Sequence, residues 1–367
     1  MLLALEARDF RNLAPLDWRP SPGRHLILGD NGAGKTSLLE AIYLLATTRS
    51  FRTHRLADGC RHGADGFALA GEIGPSPAAV SRRLTLTWTR GGRGGQRHRT
   101  LDGTAGVSLA SHLAVLPVLA WSAADADMLT GAPEARRRLL DRGIVGLRPA
   151  AIETAARLRQ AMAEKRALLA RPGAAAGPDL LAPWNALVAE ASARLIALRA
   201  DYVDRLRAAL DAVLADCAAL DFPAITLAYR PSPVEALDGV AAAQAAFDAA
   251  AAREIAVGQP HVGPQRDHQR VRGDGPDLRR VASAGERKAL GIALLAAQGR
   301  VLADAGRAPI LLLDDADTEL DRHRLAALWR AFPDVPQVLA TSNRPDVWRD
   351  LDLDRRWRCV DGVVDAD

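Results

Sequence analysis

Between an apolar run, His25-Leu26-Ile27-Leu28, and a stretch carrying Leu38, Leu39, Ile42, Tyr43 and Leu45 lie eight residues of the form G-x-x-x-x-G-K-T, Gly29 to Thr36. The apolar run reads as a buried strand and the later spacing as a helix, so the chain must turn from one into the other through a glycine-rich loop. Few folds other than an α/β sheet with helices packed on it accommodate that turn. The glycines let backbone N–H groups curl round a phosphate, and the helix N-terminus adds a favourable dipole. Lys35 can reach the outer phosphate oxygens, and Thr36 can place its hydroxyl on Mg²⁺. Gly29, Asp30, Asn31, Gly32, Ala33, Gly34, Lys35, Thr36 and Ser37 are therefore the expected nucleotide contacts.

The chain has 367 residues, enough for two domains or one with a large insertion. Mean hydropathy is -0.05 and no run approaches the ~18 apolar residues of a membrane span. Charge appears by Glu6 and Arg8, too early for a secretory leader, so a cytoplasmic location without membrane attachment is expected. Cys60, Cys217 and Cys359 are far apart, which excludes a zinc ribbon and argues against a disulfide framework. Lysine and arginine total 48 against 44 acidic residues, and only Lys35, Lys165 and Lys288 are lysines. So arginine-rich a chain suits phosphate recognition, although coding bias explains the same composition.

Short β-like runs follow from 67 to about 101, the clearest being Leu84-Thr-Leu-Thr-Trp-Thr. Past Gly131 the character becomes helical. One helix is expected from about Pro149 to Ala170, then a break at 171–178. A second is expected from Pro183, a favoured first helical residue, through Trp184, Leu187, Ala191, Leu195, Leu198, Tyr202, Leu206, Ala209, Val213 and Cys217. These helices could form an antiparallel arm or part of an ordinary bundle. After Gly263 the α/β character returns, with strands at Ile310 to Leu313 and Gln337 to Ala340. The expectation is an α/β head from 1–115 and 258–367, with a β-rich edge, split by an α-helical insertion at 116–257.

Ile310-Leu-Leu-Leu313 runs into Asp314 and Asp315. A buried strand holds its terminal carboxylates rigidly at the sheet's carboxyl edge, where Asp314 would bind Mg²⁺ and Asp315 would orient and polarise an attacking water. The bland alternative is a carboxylate capping the next helix. Ser283-Ala-Gly285-Glu286 opens a further helix. A second anion-suited N-terminus is surplus to one chain's needs unless it covers a γ-phosphate held by another subunit; otherwise it is a helix cap.

A phosphate loop, an S-x-G-E loop, and then hhhhDD followed by Thr318-Glu319-Leu320-Asp321 occur in the order found in ABC-type ATPases. The whole chain resembles the RecF family, the bacterial DNA-repair branch allied to the SMC proteins. Phe10-Arg-Asn-Leu13, Arg49-Ser-Phe-Arg-Thr53, Arg136-Arg-Arg-Leu-Leu-Asp141, Gly263-Pro264 and Arg266-Asp267 also match, in order. Departures are Gln265 and His268 within the family's G-P-H-R-D-D, and a loose F-S-P-E-D-L at 121–127. Thr341-Ser-Asn has no histidine where transporters carry a switch residue. The resemblance implies an ABC-type P-loop ATPase using ATP and Mg²⁺, with catalytic roles for Lys35, Asp315 and Ser283. It implies nucleotide contacts from Arg11, Asn12 and Arg52, and an ATP-dependent head-to-tail homodimer that clamps gapped or junction DNA. It further implies RecO- and RecR-type partners that promote recombinase loading in repair, replication, recombination and the SOS response. Asp at 315, shorter than a transporter's Glu, implies a weak, DNA-stimulated ATPase.

For DNA contact the basic clusters are Arg82-Arg83, the arginines between 90 and 99, and Arg136, Arg137 and Arg138. No aromatic interleaving suggests base stacking, so contacts to phosphate are expected. Two alternatives are an ABC transporter subunit and an SMC-like structural ATPase. The spacing of Lys35 and Ser283 is far too long for the first and far too short for the coiled coil of the second.

Overall fold

The structure is a computed structural model that describes residues 1–75, 80–92, 95–122, 125, 133–170, 178–220, 222, 225–273 and 283–367. The chain divides into two compact units, Met1–Leu129 with Ala209–Phe222 and Val281–Asp367, and Thr130–Ala208 with Pro223–Arg280. The first unit extends past the expected limit at 115, because the strand Val118–Trp121 pairs with Ile310–Leu313 in its main sheet. It resumes later than the expected 258, since 258–280 belongs with the second unit.

The first unit holds two six-stranded sheets. An antiparallel sheet contains β1 (Leu2–Arg8), β2 (Leu16–Trp18), β4 (Gly66–Ile73), β5 (Arg82–Thr89), β6 (Gln96–Leu101) and β7 (Thr104–Ala105), in the order β2-β1-β4-β5-β6-β7. This is the expected β-rich edge. Alternation along β4 and β5 buries Phe67, Leu69, Leu84, Leu86 and Trp88 on one face. The second sheet contains β3 (Gly23–Leu28), β8 (Val118–Trp121), β11 (Ile310–Leu313), β12 (Gln337–Ser342), β13 (Arg355–Val360) and β14 (Val363–Ala366), in the order β14-β13-β3-β12-β11-β8. All its pairings are parallel except the β13–β14 hairpin. Helix α1 (Lys35–Thr47) is buried along nearly its whole length in one core with residues of both sheets. Its burial all round explains why its apolar pattern is broad rather than striped. Other described helices of this unit are α2 (Leu109–Val115), α7 (Ala284–Asp304) and α8 (Arg322–Ala331).

The second unit is built from α3 (Pro133–Leu147), α4 (Ala151–Leu169), most of α5 (Pro178–Asp216) and α6 (Val240–Val257), with a two-stranded ribbon of β9 (Ile225–Arg230) and β10 (His268–Gly273). Neither the ribbon nor α6 was apparent in the sequence pattern. Helix α5 begins five residues before the expected start: Pro178 occupies the first helical position and Pro183 lies inside the helix. One lost N–H bond near the end of a 39-residue helix is a small penalty against the apolar surface it buries. The phase of the apolar stripe holds for Ala191, Leu195, Tyr202, Leu206 and Val213, but Leu187 is 52% exposed and Val188 takes its place in the core. The expected break at 171–178 lies mostly outside the described residues. Among the described residues no helix is long and apolar enough to cross a membrane.

One buried network organises this unit. Arg199 donates to Asp141 at 2.8 Å and to Asp267 at 2.7 Å, Tyr229 also donates to Asp267, and Ser232 N–H reaches the other Asp267 oxygen at 2.8 Å. Burial pushes the Asp267 carboxyl up and the Arg199 charge opposes it. The Gly263-Pro to Asp267 signature is thus a structural tie between α3, α5 and β9.

Candidate nucleotide site

The glycine-rich loop leaves β3 at the carboxyl edge of the parallel sheet and enters α1. Gly34 has φ +117° and caps α1 with no side-chain bond, and the first turn of the helix holds no acidic residue. A Cβ at Gly34 would press on Gly362 and Leu13, and one at Gly29 would lie 2.3 Å from the Cys359 carbonyl. The β13–β14 hairpin therefore packs directly on the loop, with Gly362 N–H and Cys359 Sγ both donating to Ala33 O, at 2.7 and 3.2 Å. An open hollow of about 280 Å³ lies along Gly29 to Ala33 and residues 358–361. Asn12 fastens the loop from the other side, donating to Gly32 O at 2.6 Å and accepting from Ser37 at 2.7 Å.

Lys35 is 4% exposed, and its ammonium donates to Gly29 O at 2.9 Å and Asp30 O at 3.0 Å. Both acceptors are neutral and an ammonium carries three protons, so one donor and the whole charge remain for an anion. Thr36 donates to Asp314 Oδ1 at 2.8 Å. Thr341, at the end of the adjacent β12, donates to the same oxygen at 3.0 Å and accepts from Asp315 N–H at 2.9 Å. Burial pushes the Asp314 carboxyl up; hydrogen bonds from Thr36 and Thr341 pull it down, and the Asp315 charge raises it. No cation among the described residues donates to either carboxylate. Two adjacent carboxylates, a hydroxyl already turned to one of them and an uncapped helix start beside a buried ammonium fit a magnesium–polyphosphate ligand. Thr36 and Asp314 would hold the metal.

Ser283 caps α7 in a complete capping box, accepting from Glu286 N–H at 3.2 Å while Glu286 accepts from Ser283 N–H at 2.7 Å. None of its described hydrogen bonds reaches the Lys35 loop. Gly285 is required by close approach, since a Cβ there would meet Glu319 O at 2.8 Å.

Arg11 and Arg52 converge on Glu40 of α1, which is 1% exposed. Arg11 forms a fork at 2.9 and 2.8 Å, Arg52 donates at 3.2 Å, and Ser50 adds a bond at 2.6 Å. The described arginines marked as candidate DNA contacts have protein partners, and Arg93 lies outside the described residues. Arg82 pairs with Asp102 at 2.6 Å and Arg83 with Glu6 at 2.8 Å, while Arg137 donates to Asp267 O at 2.9 Å and Arg138 faces Glu134 at 3.6 Å. Arg136 is 7% exposed. The site residues not singled out from the sequence are Thr341, Glu40 and Lys288. Thr341 had one legible signal, its place at the end of a strand beside the acidic pair.

A parallel sheet carrying a phosphate loop and a strand-end acidic pair, with an antiparallel sheet at its edge and a serine-capped helix, is the head of an ABC-type ATPase. No family model matches the chain. A DNA replication and repair protein RecF from Anaeromyxobacter sp. (strain Fw109-5) is 35% identical over 354 residues, covering 94% of this chain and 92% of its own length. That of Myxococcus xanthus (strain DK1622) is 32% identical over 335 residues, 89% and 86% of the two chains. Among solved structures, the recombination mediator protein RecF-ATPrS in the RecFOR pathway matches with a TM-score of 0.85 at 22% identity, covering 100% of this chain and 98% of its own. An SmcHead bound to the C-winged helix domain of ScpA matches at 0.60 and 14%, covering 100% and 96%. The chain belongs to the RecF family.

Proposed function

We propose that the chain is an ATP-gated DNA clamp, two copies of which join head to tail, each ATP lying between the Lys35 loop of one copy and the Ser283 loop of the other. The carrying observation is that Lys35, Thr36, Asp314, Asp315 and Thr341 form one constellation, while among the described residues no hydrogen bond of the Ser283 cap reaches the Lys35 loop. The relatives' names support DNA as the substrate, and gapped or junction DNA is the form proposed here. The RecFOR setting of a structural neighbour supports RecO- and RecR-type proteins as partners, and recombinase loading in the cytoplasm is proposed with them. Arg82, Arg83, Arg90 and Arg138 retain 52%, 44%, 66% and 59% side-chain exposure, which leaves each of them able to meet phosphate.

Magnesium ATP supplies the scissile phosphoryl group and the cation that neutralises it. Lys35 directs its remaining N–H to a phosphate oxygen, and the N–H groups opening α1 hold the anion. Thr36 and Asp314 would hold the metal, and Asp315 would accept a proton from the attacking water. A short aspartate in that place gives slow turnover, so hydrolysis acts as a timer for release of the dimer.

The test is sedimentation velocity of the Asp315→Asn chain with Mg-ATP, with and without a duplex carrying a single-strand gap. The substitution keeps binding and blocks water activation, so an ATP-dependent dimer favoured by DNA is expected. A monomer despite bound ATP would sink the clamp.

A further inference from the structure

Lys288 lies five positions after Ser283, on the same helix α7, and turns inward, 9% exposed. Its ammonium donates to the Asp315 carbonyl at 2.9 Å and to the Thr318 hydroxyl, which itself donates to that carbonyl at 2.8 Å. The N–H of the same residue is held by Thr341 at 2.9 Å. Asp315 is therefore fixed on both sides, in a left-handed backbone conformation (φ +45°) that an aspartate tolerates better than most residues. Glu319, four positions on, has φ +63° and is the residue whose carbonyl crowds Gly285. Helix α7 thus grips the 315–319 loop at two points within its first two turns, through Gly285 on Glu319 and Lys288 on Asp315.

The choice of residue adds a second argument. In a chain where lysine and arginine total 48, three are lysines, and all three are buried: Lys35 at 4%, Lys165 at 0% and Lys288 at 9%. Arg199 and Arg136 are buried too, at 4% and 7%, so it is the contacts of Lys288 rather than its burial that suit a lysine. Lys35 faces the nucleotide, and Lys165 belongs to a sealed ion pair. Lys288 meets one carbonyl and one hydroxyl from different directions, a geometry suited to a point charge with rotatable donors.

We infer that Lys288 is a positioning residue that couples the Ser283 loop to the Asp315 peptide, so that engagement of Ser283 by the second copy's nucleotide sets the direction of the Asp315 carboxylate toward the chain's own. The inference rests on the head-to-tail reading above. It makes a chain in which Ser283 is not engaged slow to hydrolyse, and makes the two sites of a dimer report to each other.

The experiment measures ATP-dependent dimerisation by sedimentation, and steady-state hydrolysis across a range of chain concentrations, for the wild type, Lys288→Met and Thr318→Val. The wild type should hydrolyse faster as it dimerises. Lys288→Met should dimerise over the same concentrations yet lose about tenfold in kcat, with KM for ATP within about twofold. Lys288→Arg should not restore kcat, and Thr318→Val should show a smaller loss of the same kind. Undiminished kcat in Lys288→Met, a change confined to KM, or lost dimerisation would overturn the coupling. If Lys288→Met fails to fold, unchanged turnover in Thr318→Val overturns it instead. A wild-type chain that binds ATP and stays monomeric would overturn the head-to-tail reading beneath it, whatever the variants do.

Discussion

Thr36 and Asp314 meet across 2.8 Å although 278 positions separate them in the chain. One opens the helix after β3 and the other closes β11, and β12 lies between those strands in the sheet. The hydroxyl–carboxylate contact therefore reports the register of three parallel strands. It also brings together the two oxygens that would hold a divalent ion.

Thr36→Val keeps the shape of the side chain and removes that oxygen. It should weaken nucleotide binding in the presence of Mg²⁺ by about tenfold, or ~1.4 kcal/mol, and leave binding in EDTA unchanged. Titration of a fluorescent ATP analogue in both conditions measures this. An equal loss with and without Mg²⁺ would mean that the hydroxyl supports the loop rather than the metal.

Glu40 is the anchor for Arg11 and Arg52, and its removal strands both. Removing one member of a fully buried pair costs about 3–5 kcal/mol, and because Arg11 and Arg52 keep 18% and 42% exposure, Glu40→Ala should cost about half as much. Chemical denaturation of the variant checks the figure. Glu40→Gln, which keeps an acceptor and the shape, should lie between the variant and the wild type.

The Lys35 loop, the acidic pair and the Ser283 cap were legible because each is a local pattern whose chemistry depends on its own backbone. Thr341 and Lys288 were not, since their partners lie 26 and 27 positions away and their importance arises only when β12 and α7 pack beside Asp315. The strands of the head carried plain periodicity, whereas β9 and β10 were hidden because an isolated two-stranded ribbon needs only part of one face apolar. Leu187 misled for a related reason: over so long a helix a stripe of fixed period drifts, and Val188 came to face the core. The arginine clusters show the opposite limit. Charge runs were visible, but not that Arg82, Arg83, Arg137 and Arg138 would each find a partner in the fold.

His112, on α2, is fully buried, with Nε2 2.8 Å from the Leu45 carbonyl near the end of α1 and, among the described residues, no hydrogen-bond partner for Nδ1. Burial holds its pKa below the ordinary value of 6.5; the Leu45 contact opposes this, and the Arg99 and Arg97 charges add to it. A second ring N–H would be sealed in with no acceptor. The stabilisation from a histidine kept neutral is present above the unfolded pKa, and is lost as pH falls below it. The urea midpoint of the first unit should therefore drop between pH 7.5 and 5.5. His112→Gln should be less stable at pH 7.5 but show a flatter pH dependence, and an unchanged slope would locate the acid sensitivity elsewhere.

Lys165 and Glu254 form a 2.6 Å ion pair between α4 and α6, both side chains 0% exposed, with the ammonium 5.1 Å from the centre of the Phe247 ring. Glu254 has a second duty, accepting the N–H groups of His261 and Val262 at 2.6 and 3.2 Å just past the end of α6. The two partners are therefore not equivalent. Lys165→Met leaves a buried carboxylate without its cation and should cost about 3–5 kcal/mol. Glu254→Leu removes the charge partner and the backbone cap together, so it should cost at least as much. In the double variant Lys165→Met, Glu254→Gln no charge is buried, and the amide oxygen still accepts the two N–H groups. It should recover most of the stability, because replacing both ions of a sealed pair is close to neutral while removing one is not. Denaturation of the wild type, Lys165→Met, Glu254→Gln and their double variant measures the cycle, and a double variant no more stable than Lys165→Met would show that the ammonium matters for its packing against Phe247 rather than for its charge.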